Sequence, residues 1–157
     1  QVLHELTQAG HRLTEADVVH HMQDTYRGFV RRSAGRFAEF FGLLLEDDQP
    51  TVFHCTAGKD RTGFAAALVL HALGAGDDEV MRDYLLTNER LQPPSVAWRG
   101  LEPHVARVLW GVQPGFLQAA FDAIAQDWGS TDAFLAQALG VGEPERARLR
   151  RLYLAHG

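Results

Sequence analysis

The chain has 157 residues, 46% of them hydrophobic and 22% charged, which suits one globular domain with one core. Fifteen Lys+Arg against 20 Asp+Glu leave a formal net charge of −5, so no global charge favours nucleic acid or anionic lipid. The lone cysteine, Cys55, excludes an intramolecular disulfide and a cysteine-rich zinc site, and no apolar run approaches the roughly 20 residues of a membrane helix.

Residues 1–12 carry no clear period and are expected to fray. They also lack the charged-then-apolar pattern of a signal peptide. Thr14 with Asp17 resembles a capping box, and a helix over about 15–30 follows. Ser33 is the expected cap of the next helix, with Phe37, Phe40, Phe41 and Leu44 as its apolar stripe. After the turn residues Asp47 to Pro50, the run Thr51-Val52-Phe53-His54 reads as a short buried strand. Gly58 and Gly63 bracket a tight loop, and residues 64–73 are apolar all round, as in a buried helix. Gly74 is the expected stop. Asp77-Asp78 opens a helix to about Leu91, ended by Pro93-Pro94, with a loop to Gly100. The region 94–157 reads as helical, with helices near 101–110, 114–127, 132–139 and 144–154. The alternating charges from Glu143 to Arg151 read as a solvated helix face.

The chemistry concentrates in His54-Cys55-Thr56-Ala57-Gly58-Lys59-Asp60-Arg61-Thr62-Gly63. The cysteine ends the predicted strand and the arginine begins the predicted helix. Backbone N–H groups from Thr56 to Arg61 can turn inward around one centre and bind a tetrahedral oxyanion. The N-terminus of the following helix adds positive potential there. Arg61 can grip two phosphate oxygens with its planar fork. The same field favours the Cys55 thiolate, a nucleophile at neutral pH. Gly58 supplies backbone angles that a side chain forbids. Thr62 can donate its hydroxyl to the Cys55 sulfur, and His54 can brace the loop from behind. Lys59, the only lysine, sits within this loop. Of the histidines, His20 and His21 are adjacent and splay about 100° apart on a helix. The others show no ligand spacing, so no metal or other cofactor is expected.

This stretch resembles the phosphate-binding signature of cysteine-dependent protein tyrosine phosphatases, and its Gly-Lys-Asp-Arg form resembles an atypical bacterial and fungal branch. The resemblance continues in Met22-Gln23-Asp24-Thr25-Tyr26-Arg27, in Tyr84-Leu85-Leu86-Thr87-Asn88, and over residues 116–152 with the Trp128-Gly129-Ser130 turn. It implies an α/β fold, a parallel sheet flanked by helices, here mostly helical with one clear strand. It also implies that the strands and the segment usually found before this point lie elsewhere. The chain then reads as one domain, 1–157, the C-terminal part of a catalytic domain. A second chain or second copy could complete the sheet. A reducing, cytoplasmic setting is expected, with secretion of a longer precursor left open.

The implied reaction is hydrolysis of phosphomonoesters through a cysteinyl-phosphate, with phosphotyrosine, phosphoserine or phosphothreonine, and phosphoinositides as substrates. Cys55 is the implied nucleophile and Arg61 the clamp on the transferring phosphoryl group. Asp60 is the first candidate for the general acid, Asp24 the second, and a residue outside the chain the third. Lys59 is a candidate for binding multiply phosphorylated ligands. The competing reading is a catalytically weak module that binds phosphate groups with the same loop. A redox enzyme such as an arsenate reductase is disfavoured, because it needs further cysteines.

Overall fold

The computed structural model describes residues 13–46, 59–90 and 102–154. The predicted strand Thr51 to His54, together with Cys55, Thr56, Ala57 and Gly58, lies outside the described residues. So do Pro93-Pro94 and the loop to Gly100. Among the described residues there are nine helices and no strand. They are α1 Glu15–Arg31, α2 Ala34–Glu46, α3 Asp60–Ala72, α4 Asp77–Leu85, α5 Thr87–Arg90, α6 Pro103–Trp110, α7 Pro114–Trp128, α8 Thr131–Ala138 and α9 Glu143–Tyr153. None is long and apolar enough to cross a membrane.

The capping box at the start of α1 forms as expected. The Asp17 N–H donates to Thr14 Oγ1 at 3.1 Å, and the Thr14 N–H donates to Asp17 Oδ2 at 2.9 Å. Val18, Met22, Tyr26 and Phe29 recur at helical spacing and bury one face of α1. That face lies chiefly against α7, whose Phe116, Leu117, Ala120, Ala123 and Ile124 are buried in turn. Arg31 fastens the same pair at its exposed edge through Asp127 at 2.9 Å.

No residue of α3 is exposed, and Phe64, Ala65, Ala67, Leu68 and Ala72 are all buried. Phe64 sits between Phe29 and Phe37, with ring centroids 5.8 Å and 5.1 Å away. α2 adds Phe37 and Phe41 to that core, while Phe40 and Leu44 are half-buried beside it. Its start at Ala34 follows Ser33, whose carbonyl accepts from Arg36 and Phe37. α3 ends where Gly74 turns into the left-handed region at φ +101°, so that the Ala75 N–H reaches Leu70 O at 2.9 Å.

Two sequence expectations need correction. The helix expected from Asp77 to Leu91 breaks at Leu86. Its N–H is shared between Arg82 O and Asp83 O, which tightens the last turn of α4 before α5 begins. The alternating charges of α9 are not a plain solvated face. Arg146 donates to Ala72 O and His71 O at the end of α3, and Arg148 donates to Leu45 O and Glu46 O at the end of α2. Helix C-termini leave carbonyls unpaired, and guanidinium groups with several donors fill that need. The residue after Arg148, Leu149, is fully buried.

Candidate functional site

The described part of the signature begins at Lys59, the residue before α3. Lys59 and Asp60 are 5% and 8% exposed, the only buried charged residues among those described. Buried charges require partners, and both have them.

The Lys59 ammonium donates to Leu109 O and to Gly111 O, each at 2.7 Å. These carbonyls belong to the C-terminal end of α6 and the residue beyond it, where the helix dipole favours a cation. The adjoining backbone is held again by Asn88 at the start of the chain's next turn. Its Nδ2 donates to Val112 O at 2.9 Å, and the Val112 N–H donates to Asn88 Oδ1 at 2.8 Å. Asn88 lies on α5, just past the break at Leu86. Thus the strap from Leu109 to Val112 is stapled from two sides, by the signature loop and by α5.

Asp60 is the first residue of α3. Its Oδ1 accepts from the Tyr26 hydroxyl at 2.7 Å, and the Tyr26 hydroxyl contacts that of Tyr84 at 2.6 Å. Its Oδ2 lies 3.7 Å from Lys59 Nζ, an ion-pair distance and too long for a hydrogen bond. Burial pushes the Asp60 carboxyl up from the ordinary carboxylate range, while the Lys59 charge and the Tyr26 hydrogen bond oppose the rise. Burial pushes Lys59 down from the ordinary lysine range, and Asp60 opposes that. Burial likewise raises both tyrosine hydroxyls, so each remains a protonated donor.

Arg61 follows on the first turn of α3, half-buried, and Thr62 and Gly63 come next. Gly63 has no Cβ for a physical reason: one placed there would stand 3.1 Å from Tyr84 Cε2. A cleft of 220 Å³ opens along this face, lined by Thr62, Gly63, Ala66, Tyr84, Thr87 and Arg90 among others. Asp24, the second candidate acid, is placed elsewhere. It is an exposed residue of α1, paired with Arg27 at 2.6 Å and facing His20 at 3.4 Å. It lies two positions from Tyr26, hence about 200° around the helix from the hydroxyl that meets Asp60.

The structure therefore brings together Lys59, Asp60, Arg61, Thr62 and Gly63. His54, Cys55, Thr56, Ala57 and Gly58 lie outside the described residues. Among the described residues, no group of three or more His, Cys, Asp or Glu side chains gathers around a common centre. Sequence reasoning assigned no role to Tyr26, Tyr84 or Asn88. The available signal was a tyrosine on the inward stripe of α1, where a phenylalanine would fill the same space with no hydroxyl to satisfy.

The described end of the signature thus places a buried, paired Lys59 and Asp60 at the start of the buried helix α3. The chain belongs to the tyrosine phosphatase family, whose family model matches residues 1–155. It is 38% identical over 148 residues to a Cupriavidus necator protein provisionally named a tyrosine-protein phosphatase, covering 90% of this chain and 53% of that protein. It is 34% identical over 154 residues to the triple specificity protein phosphatase PtpB of Mycobacterium tuberculosis, covering 85% and 55%. A tyrosine-protein phosphatase of Nostoc commune is 26% identical over 139 residues, covering 81% and 47%. The chain thus spans about half the length of the curated relatives it matches. A mostly helical described portion is consistent with part of a chain of this family.

Proposed function

We propose that this chain carries the cysteine loop of a phosphomonoester hydrolase that works without a metal and through a cysteinyl-phosphate. Phosphotyrosine is the first substrate class, followed by phosphoserine or phosphothreonine and phosphoinositides. The enclosing fold is a parallel sheet flanked by helices, with the strand Thr51 to His54 leading into the loop.

Cys55 Sγ attacks phosphorus, the phosphorus–oxygen bond to the leaving group breaks, and Asp60 gives that oxygen its proton. Water then displaces the sulfur, with the same carboxylate accepting a proton. The amides of Thr56, Ala57, Gly58, Lys59, Asp60 and Arg61 hold the equatorial oxygens, and the Arg61 fork matches two of them. Thr62 supports the departing sulfur, while His54 and Gly63 support the loop. The carrying observation is the Asp60 carboxyl. It is buried at the first residue of α3, where burial pushes it up from the ordinary carboxylate range, and it is next to the arginine of the signature. Lys59 enters this reading as a loop anchor. Its ammonium is already committed to two backbone carbonyls.

The test is phosphate release from an aryl phosphate in EDTA, by this chain and by Cys55→Ser. Turnover by the first and none by the second is the expected result. Turnover retained in Cys55→Ser would overturn the cysteine mechanism. Absence of turnover in both, with phosphate still bound, would favour the phosphate-binding module.

A further inference from the structure

We propose that Tyr26 and Tyr84 are positioning residues for Asp60: their hydroxyls form a buried chain that fixes Oδ1 of the carboxyl and leaves Oδ2 to hold and release the proton. This rests on the reading of Asp60 as the acid.

The chain joins three elements far apart in sequence, with Tyr84 on α4, Tyr26 on α1 and Asp60 opening α3. Its direction follows from valence. An ionised carboxylate only accepts, so Tyr26 donates to Oδ1 and Tyr84 donates to the Tyr26 oxygen. Each bond polarises the next, and burial strengthens both. An aspartate carboxyl left alone rotates in a broad, nearly two-fold well. With Oδ1 held at 2.7 Å, the other oxygen is fixed towards the Lys59 side.

Packing alone does not account for the hydroxyls. The Tyr26 ring lies 5.0 Å from Phe29 and 5.9 Å from Phe116, contacts that a phenylalanine would also make. Tyr26 and Tyr84 are 0% and 3% exposed, so each hydroxyl is removed from water and must find a partner inside. The Tyr84 ring reaches its place over Gly63, where a Cβ would crowd it. Two phenols, one glycine and one carboxylate are therefore fitted to each other. Among the described residues, the titratable or charged groups facing Asp60 are Lys59, Tyr26 and Tyr84. Arg61 is its chain neighbour, and His54 and Cys55 lie outside the described residues.

The consequence has a sign. The Tyr26 bond stabilises the ionised carboxylate, so removing the hydroxyl lets Asp60 keep its proton to higher pH. An acid must be protonated to act, so activity falls on the alkaline side as Asp60 ionises.

The experiment uses Tyr26→Phe and Tyr84→Phe, which keep both rings, with Asp60→Asn as reference. Two quantities are read: the ¹³C titration of the Asp60 carboxyl, and kcat/KM against pH for an aryl phosphate with a poor leaving group. The expected result is an upward shift of the carboxyl titration in Tyr26→Phe. The alkaline limb should shift the same way. Tyr84→Phe should move both less, because it acts through Tyr26. Adding Tyr26→Phe to Asp60→Asn should cost no further activity. An unmoved carboxyl titration in Tyr26→Phe overturns the proposal. A moved titration with an unmoved limb overturns its catalytic part. If the unaltered chain shows no turnover while the titration still moves, the phosphatase reading fails and the hydroxyl chain stands.

Discussion

Replacing Lys59 by methionine tests whether this lysine is a structural anchor or a ligand-binding charge. The substitution keeps an unbranched apolar stem and removes the ammonium. Two hydrogen bonds of 2.7 Å to Leu109 O and Gly111 O are lost, and the Asp60 carboxylate loses its nearest cation. Removing one partner of a buried pair leaves a buried charge uncompensated, at a cost of about 3–5 kcal/mol. For a domain of this length that corresponds to a melting temperature lower by roughly 6–20 °C. Urea unfolding followed by circular dichroism reads the change as a lower midpoint at constant slope. The double substitution Lys59→Met with Asp60→Asn removes both charges, so it should be less destabilised than the two single losses added together. A ligand-binding lysine behaves differently, because its removal would leave the unliganded protein as stable as before. A loss below about 1 kcal/mol for Lys59→Met, the ordinary range of an exposed pair, would refute the anchor argument.

Two further outcomes follow from single contacts. Gly63→Ala places a Cβ 3.1 Å and 3.3 Å from two Tyr84 ring atoms, so the ring must shift and stability should fall by about 1–3 kcal/mol. Urea midpoints measure it, and a change within about 0.5 kcal/mol would show that the ring yields without cost. Asp132 accepts from His71 Nε2 and from Arg146 Nη1, each at 2.9 Å, and the His71 bond is the main cause that holds its carboxyl below the ordinary range. The side chain is 66% exposed, so Asp132→Asn should cost less than about 1 kcal/mol at neutral pH. A lowered carboxyl stabilises the fold above its unfolded value and loses that contribution as pH falls through the folded value. The difference between the two proteins should therefore vanish in strong acid, and an equal difference at both pH values would refute the pairing.

Much of the helical frame was legible because its signals are local. Thr14 and Asp17 bond within four residues, Gly74 closes a helix by its own backbone, and the stripe on α1 repeats at helical spacing. The family was legible in one uninterrupted stretch around Cys55, supported by the match over residues 1–155. What sequence reasoning missed depends on distance along the chain. Arg146 and Arg148 look like surface charges beside their neighbours, yet their partners are carbonyls about a hundred or fewer residues earlier. Asn88 looks like a helix residue until the backbone of Val112 is brought beside it. Lys59 is a candidate for binding multiply phosphorylated ligands, and nothing beside it in sequence points to its bonds with Leu109 O and Gly111 O. Its neighbours in space are the carbonyls that end α6.

The same distinction explains why charge is buried at the start of α3. An apolar pair at Lys59 and Asp60 could pack there with no desolvation cost, and buried ion pairs are poor sources of stability. Orientation is what a hydrogen-bonded pair supplies and an apolar pair does not. Lys59 ties the residue before α3 to α6, and Asp60 ties its first residue to α1 and α4. The helix start is thereby held from three directions by groups that accept few alternative arrangements. Under the proposed function, a loop aiming several amides and one guanidinium at a phosphoryl group would benefit from such restraint, because donors already in place need no rearrangement as charge develops. Replacing these polar contacts with well-packed apolar ones should therefore preserve the fold more readily than the alignment of Arg61 and the loop amides.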